Sequence, residues 1–409
     1  MEWMEMMKDK KLDLLALASI PLVMTLGNSM LIPVLPIIEK ELDISSFQSS
    51  LIITVYSVVA IFLIPIAGYL SDKVGRKKVM IPSIIITGIG GAVSAIAAWL
   101  MASPYIVILI GRFLQGIGAA GAFPVVIPTV GDMYKDEKDV SVGLGIIETS
   151  NTFGKVLSPI IGALLAMVIW YLPFIFIPAF SFIAVLLVLF LVKAPKDNKA
   201  EQQTFATFIN SLKAVLKTNG RWLVATFIIG CINMFVLFGV LFHFSSLLES
   251  QYKIEGVYKG LLLAIPLLSL CIASYVTGKK IGENKVIMKW LILIGNLAST
   301  VPLLFITNEQ ISIVFITVLL SIAGLGIGLS LPCLDALITE GVEKDIRGTV
   351  TSLYSSMRFL GVAAGPPIIA LIMKQIHMLY IILASLSALA VVITFFAIKP
   401  TKDDDKNIK

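Results

Sequence analysis

The sequence predicts an all-α membrane protein in which twelve transmembrane helices form two pseudo-symmetric bundles of six. Of the 409 residues, 57% are hydrophobic and only 14% are charged, whereas soluble domains are nearer one quarter charged. The apolar residues come in runs of about twenty, which lets a helix cross ~30 Å of hydrocarbon. The two halves of the chain also repeat the same glycines and prolines, which indicates duplicated bundles.

The apolar runs define both the spans and the domain organisation. We expect a bundle at 1–193, a linker at 194–220, a second bundle at 221–399 and a tail at 400–409. Apolar residues recur at helical spacing after residue 204, which predicts an amphipathic helix on the membrane surface within the linker. The predicted spans are 14–36, 49–71, 79–100, 105–131, 140–166, 170–193, 221–246, 257–277, 287–307, 311–337, 348–373 and 378–398.

The internal repeat is visible in three pairs of residues. Gly75 matches Gly282, Pro124 matches Pro332, and Gly154 matches Gly361, each pair being 207 or 208 positions apart. Two six-helix halves in parallel repeat are one architecture of secondary transporters, with the substrate site at the midplane between the halves.

The basic residues predict the orientation of the chain. Most of the 32 lysines and arginines fall on one side of the predicted spans, together with both termini. The positive-inside rule makes that side cytoplasmic, so we expect a multi-pass cell-membrane protein and no nucleic-acid partner. The remaining basic residues are Lys40, Lys253, Lys259 and Lys374 on the opposite side, and Arg112, Lys155 and Arg358 inside spans.

Several functional classes are excluded by what the sequence lacks. Three cysteines lie in apolar runs without metal-ligand spacing, and His243 and His377 are far apart, so we expect no metal and no Cys/His nucleophile. There is no G-x-x-x-x-G-K-[ST] phosphate loop, so ATP is not the direct energy source. The first span is too long for a cleavable signal peptide. We expect neither a cofactor nor an enzyme.

The fifth predicted span carries two distinct faces. Glu148, Asn151, Thr152 and Lys155 follow helical spacing and form one polar stripe. Small residues recur every four positions beside it and permit the close approach of another helix; they are Gly154, Ser158 and Gly162. Such a helix suits the wall of a membrane cavity, and we expect the small residues, with Pro159, to form part of the sliding contact between the halves.

Four motifs resemble those of the major facilitator superfamily, specifically its twelve-helix drug:proton antiporter branch. The turn from Gly68 to Met80 resembles G-x-L-a-D-r-x-G-r-k-x-x-l, and span one carries the l-g-x5-P-v-x-P pattern. Span four resembles l-x3-R-x2-q-G-x-g-a-a. The stretch from Gly145 to Ala163 resembles the antiporter motif g-x8-g-x3-G-P-x2-G-G, from which it departs with Ser158 and Ala163 in place of glycine.

The resemblance implies a gate in the turn that contains Gly68, Asp72, Gly75 and Arg76. Asp72 is expected to face the N-terminus of span eleven, where the helix dipole favours a carboxylate. Arg76 is expected to pair with an acid of span four, for which Asp132 is the candidate. The alternative is that this loop carries only topogenic charge.

We expect proton coupling to involve Glu148, Asp335 and Arg112, the buried arginine of span four. Glu148 is the first candidate proton carrier, with Asp335 next; the alternative for Glu148 is a structural ion pair. The resemblance gives Arg112 a part in coupling or in stabilising polar groups. The alternative for Arg112 is a structural arginine bonded to carbonyls of span one.

The substrate cavity has its own candidates. Lys155 lies in mid-span, so it is either paired or meets the substrate. Three buried cations against one firm carboxylate, with Asp335 only near the end of span ten, favour an anionic or zwitterionic solute. The other candidates are Asn151, Thr152, Arg358, Asn233 and Tyr56, with His243 beside them. For Tyr56, Asn233 and His243 a helix–helix contact is the simpler interpretation.

These expectations favour a secondary transporter that exports small amphipathic molecules or drugs in exchange for protons. One alternative is a dedicated exporter of a single endogenous metabolite, such as a siderophore, and another is an uptake symporter. A membrane enzyme or receptor would need clustered catalytic residues or an appended soluble domain, which the sequence does not show. The expected partners are a small-molecule substrate, protons and membrane lipid, and we expect a monomer.

Overall fold

The computed structural model describes residues 2–134, 137–192, 205–281, 284–306, 311–342 and 344–399. Three elements of the sequence analysis lie outside these ranges: Gly282, the tail at 400–409 and the first part of the linker, 194–204.

Helices form nearly all of the described chain, and the described residues contain no β-strand. The helices are α1 (Glu2–Ser29), a 3-10 helix (Ile32–Val34), α2 (Leu35–Leu42), α3 (Ser46–Val74), α4 (Arg76–Leu100), α5 (Tyr105–Met133), α6 (Glu137–Val168), α7 (Leu172–Leu191), α8 (Phe205–Ser250), α9 (Gly256–Lys280), α10 (Lys285–Leu304), α11 (Ile313–Gly341), α12 (Lys344–Ile372) and α13 (Ile376–Ala397).

Twelve candidate membrane spans are present in the described residues, as the sequence predicts. Span one differs in detail, because α1 ends at Ser29 and the chain continues through the 3-10 helix into α2. Pro33 and Pro36 are each the second residue of these two short helices, in the first turn, where a proline removes no helical hydrogen bond. The prolines therefore break the span rather than bend it.

The linker also differs from the prediction. A helix does follow residue 204, but it is the beginning of α8, which runs from Phe205 to Ser250 as one element of 46 residues. The predicted surface helix and span seven are therefore parts of one helix and not two separate elements.

Consecutive spans alternate in direction, so both ends of the described chain lie on the side that carries most of the basic residues. We call this the basic side and the opposite side the far side. Helices α1–α7 form one half and α8–α13 the other. The halves meet mainly where α3 contacts α12 and where α6 contacts α9.

The small-residue stripe of α6 packs inside its own half. A Cβ added to Gly162 would lie 2.0 Å from the carbonyl oxygen of Met30, and one added to Gly154 would lie 3.3 Å from Thr25. Ser158 Oγ donates to the Thr25 carbonyl at 3.4 Å. Three of the four residues expected at the sliding contact therefore hold α6 against α1 instead.

Pro159 contacts the other half. Its carbonyl oxygen lies 2.5 Å from the position of a Cβ on Gly260 of α9. Helix α6 thus presents its small residues to α1 and the neighbouring face to α9, because positions four residues apart share a face and position 159 is rotated from them.

The contact of Gly162 with α1 predicts a specific loss of stability. Gly162→Ala places a methyl group against a backbone carbonyl, so we expect overpacking of about 1–3 kcal/mol and a lower melting temperature for the detergent-solubilised protein. Gly145→Ala is the matched control, since a Cβ there meets nothing within 4 Å. Equal melting temperatures for the two variants would contradict this packing.

Candidate functional site

Four charged side chains from both halves lie within electrostatic reach of one another. Glu148 and Lys155 belong to α6, Asp335 to α11 and Arg358 to α12. Each cation of this group interacts with both carboxylates. The cluster therefore connects the fifth span of one half with the tenth and eleventh spans of the other.

Arg358 and Asp335 form an ion pair inside the C-terminal half. Arg358 Nη1 lies 3.3 Å from Asp335 Oδ1, and the guanidinium carbon is 5.6 Å from the centre of the Tyr354 ring. Asp335 lies three residues before the end of its candidate span at Ile338, as expected, and its side chain is 29% exposed, but its pairing with Arg358 offsets the charge of one buried cation. The excess of buried cations expected from the sequence is accordingly smaller in the structure.

Glu148 is held by neutral partners. The amide nitrogen of Asn151 donates to its two carboxylate oxygens at 3.2 and 3.4 Å, and Thr25 of α1 fixes Asn151 by donating to its Oδ1 at 2.6 Å. Thr152 donates to the backbone carbonyl of Glu148 at 2.8 Å. Within the part of the chain that the structure describes, no basic group lies at ion-pair distance from Glu148, which disfavours the structural ion pair.

Lys155 borders a small cavity between the two halves. Its side chain is only 7% exposed, and its ammonium makes no ion pair or hydrogen bond with any described residue. The cavity wall is otherwise mostly apolar and comes from α1, the 3-10 helix, α6, α8 and α9; it contains Ser29, Ile32, Pro159, Leu237, Phe238, Leu241, Leu263 and Leu267. A buried ammonium beside apolar walls favours a ligand with an anionic group and an apolar body.

Arg112 is the centre of a polar network inside the N-terminal half. The residue is fully buried and donates to the carbonyls of Ile52 at 2.7 Å and Gly27 at 3.1 Å. It also donates to the side chains of Asn28 and Gln115. These bonds join spans one, two and four, which is the geometry that the structural interpretation of Arg112 requires, with span two added to span one.

Tyr56 serves the same network. Its ring centre lies 4.6 Å from the guanidinium carbon of Arg112, and the residue is 3% exposed. In this position Tyr56 covers the arginine with its aromatic face, which is a favourable cation–π arrangement.

Asn233 and His243 make helix–helix contacts within the C-terminal half. Asn233 donates to Ser330 Oγ at 3.0 Å, and His243 Nδ1 lies 3.1 Å from the Tyr380 hydroxyl. Both residues are at most 3% exposed. Their geometry is that of a helix–helix contact, which is the simpler of the two interpretations.

The turn between α3 and α4 brings the expected charges together. Arg76 Nε lies 3.0 Å from Asp132 Oδ2 of α5, and Arg76 also pairs with Asp72. Gly75 has a φ of +103° between the two helices, a conformation that side chains disfavour. A Cβ on Gly68 would lie 3.0 Å from Ser352 Oγ of α12, so this end of α3 contacts the other half.

The comparisons with known proteins agree with this architecture. The sequence matches the Major Facilitator Superfamily over residues 17–366 and again over 284–409. The chain belongs to this superfamily.

Relatives within the superfamily include the Bacillibactin exporter of Bacillus subtilis (strain 168), which is 53% identical over 97% of this chain and 99% of its own length. The class E tetracycline resistance protein of Escherichia coli is 26% identical over 84% of each chain. The relation to drug-resistance transporters that the motifs indicate is thereby confirmed.

Solved structures of transporters share the fold. The human organic anion transporter MFSD10 superposes with a TM-score of 0.74 at 18% identity, covering 94% of this chain and 99% of its own. A bacterial homologue of the lysosomal transporter Spinster gives a TM-score of 0.70 at 16% identity, covering 96% of this chain and 97% of its own. These likenesses establish the major facilitator fold.

One buried pair of charges was missed from the sequence. Lys259 of α9 is 1% exposed and Glu249 of α8 is 3% exposed, although the sequence analysis places Lys259 among the basic residues of the far-side loops. A signal was present, because position 259 falls inside the predicted span 257–277.

Among the described residues, no group of His, Cys, Asp and Glu could hold a metal.

The Arg112 network predicts that this arginine cannot be replaced by lysine. An ammonium cannot serve four acceptors in the plane of a guanidinium, and each buried acceptor left unpaired costs about 1–3 kcal/mol. We expect Arg112→Lys to lower the melting temperature by several degrees. Arg221→Lys is the control, because Arg221 is exposed and donates to the single carbonyl of Phe396.

Proposed function

We propose that this protein exports a siderophore of the bacillibactin kind from the cytoplasm in exchange for protons. The observation that supports this most is the 53% identity with the Bacillibactin exporter, which extends over 97% of the chain. The relatives named for drug resistance share only about half that identity, for example 26% for the class E tetracycline resistance protein. Dedicated export is therefore favoured over the multidrug efflux that the motifs alone suggest.

The charge distribution supports the orientation of the chain in the membrane. In our proposal the basic side is cytoplasmic, because lysines and arginines are retained on that side of the membrane. Both termini are then cytoplasmic, and the far side is the extracellular side.

Lys155 is our candidate for the substrate contact. Its ammonium has no partner among the described residues and adjoins a cavity with walls from both halves. A ligand there contacts both halves at once, so its binding free energy differs between the conformations that alternating access requires. An anionic group on the ligand would satisfy the ammonium, while Phe238 and the leucines receive an apolar body.

Glu148 is our candidate for the proton carrier. It has neutral hydrogen-bond partners rather than a cation at ion-pair distance, and it lies close enough to Lys155 for its charge to be felt there. Protonation therefore changes the charge of the cluster. An exchange cycle requires that the proton and the substrate stabilise opposite conformations.

The Lys155 assignment predicts a selective loss of affinity. Lys155→Met keeps an apolar side chain of similar length and removes the charge, so we expect the KM for bacillibactin to rise ~10–100-fold, as the loss of one charge-assisted contact of about 1.5–3 kcal/mol implies. The measurement is uptake into inverted vesicles. Lys374→Met, at an exposed far-side position, is the control, and an unchanged KM in Lys155→Met would overturn the assignment.

The Glu148 assignment predicts uncoupling. In proteoliposomes with an internal pH dye, addition of bacillibactin should move protons through the wild type but not through Glu148→Gln, while binding of bacillibactin persists. Glu41→Gln, at an exposed position in α2, should behave as the wild type. Normal proton movement in Glu148→Gln would shift the role to Asp335.

Dedicated export is separated from multidrug efflux in the same vesicles. We expect transport of bacillibactin and no measurable transport of tetracycline or a lipophilic cationic dye. Efficient transport of the two drugs without transport of bacillibactin would restore the multidrug interpretation.

A further inference from the structure

Charged side chains are buried where the two halves meet on the far side. Glu249 is the penultimate residue of α8, and Lys259 lies in the first turn of α9. Lys259 Nζ lies 2.6 Å from Glu249 Oε2 and donates to the carbonyl of Pro33 at 2.7 Å. Pro33 belongs to the N-terminal half, so this lysine bridges the halves.

A second lysine completes the arrangement from the opposite half. Lys40 of α2 lies 2.6 Å from Glu249 Oε1 and 3.5 Å from Glu255. Glu39 fixes α2 in this position by accepting hydrogen bonds from Ser46 at 2.7 Å and Ser49 at 2.5 Å, both at the start of α3. The position of Lys40 is therefore set by its own half.

Glu249 is thus held between one cation of each half. When the far-side ends separate, the contacts Lys40–Glu249 and Lys259–Pro33 must break, because each joins opposite halves. The pair Lys259–Glu249 can persist, since both residues belong to the C-terminal half. Removing one partner of a buried ion pair is strongly unfavourable, because it leaves a buried charge uncompensated. The contacts therefore favour the closed far side over partly open arrangements.

We infer that Glu249 is a positioning residue of the transport cycle, which holds the far-side gate closed through Lys40 and Lys259. Removal of its charge leaves two lysines facing each other across the gate. The equilibrium then shifts toward conformations in which the far side is open.

The test measures the gate directly and without substrate, so its outcome is independent of the substrate and of proton coupling. Cysteines replace Phe47, at the exposed start of α3, and Lys374, just after α12, in a chain whose Cys231, Cys271 and Cys333 are changed to alanine. Spin labels at the two positions report the distance between the far-side ends of the halves by double electron–electron resonance.

We expect Glu249→Gln to raise the ratio of separated to closed populations about tenfold, which corresponds to about 1.4 kcal/mol. Glu255→Gln is the matched control, because it removes an exposed acid that contacts the same Lys40 and leaves the Glu249 contacts intact. That control should change the ratio less than twofold.

A second variant guards against misfolding of Glu249→Gln. Lys40→Met removes only the contacts of Lys40 with Glu249 and Glu255 and preserves the buried Glu249–Lys259 pair, so the C-terminal half keeps its packing. We expect a shift in the same direction, about threefold or more. An unchanged distance distribution in Lys40→Met, or an equal shift in Glu255→Gln, would overturn the inference.

Discussion

A charge inside hydrocarbon needs a partner, and this fold supplies the partners at the boundaries between helices. Arg112 binds backbone carbonyls of spans one and two. Arg358 pairs with Asp335 of a neighbouring helix, and Glu249 lies between lysines of both halves. Each of these three buried charges therefore fastens at least two helices together. The same interactions that make these residues tolerable in the membrane determine which helices are adjacent.

Lys155 departs from this pattern in the described structure. Its ammonium borders the cavity between the halves and lacks the direct partner that the other buried basic residues have. Burial of the unpaired ammonium carries a desolvation cost. An anionic ligand can offset this cost, at a place where both halves contribute walls. Binding energy gained there is sensitive to the relative position of the halves, which is the property that a transporter needs.

Much of the fold and part of the site could be predicted because their signals are local. Apolar runs define the twelve spans, and the pairing of Arg76 with Asp132 follows from a motif within one turn and the span it faces. The partners of Gly162, Asp335 and Glu249 could not be predicted in this way. These partners depend on which helices are neighbours and on how each helix is rotated about its axis. Local patterns in a single sequence do not reveal either property.

The central claim is that the charged face of α6 borders a hydrated space between the halves. The most direct measurement is the reactivity of Lys155→Cys toward a hydrophilic, membrane-impermeant thiol reagent, in a chain without other cysteines and with bacillibactin as the competing ligand at concentrations well above the raised KM expected when the Lys155 ammonium is lost. Phe153→Cys, at an exposed apolar position of the same helix, is the comparison. We predict that position 155 reacts and is protected by bacillibactin, while position 153 does not react. Absence of reaction at position 155, or reaction that bacillibactin does not slow, would contradict the account.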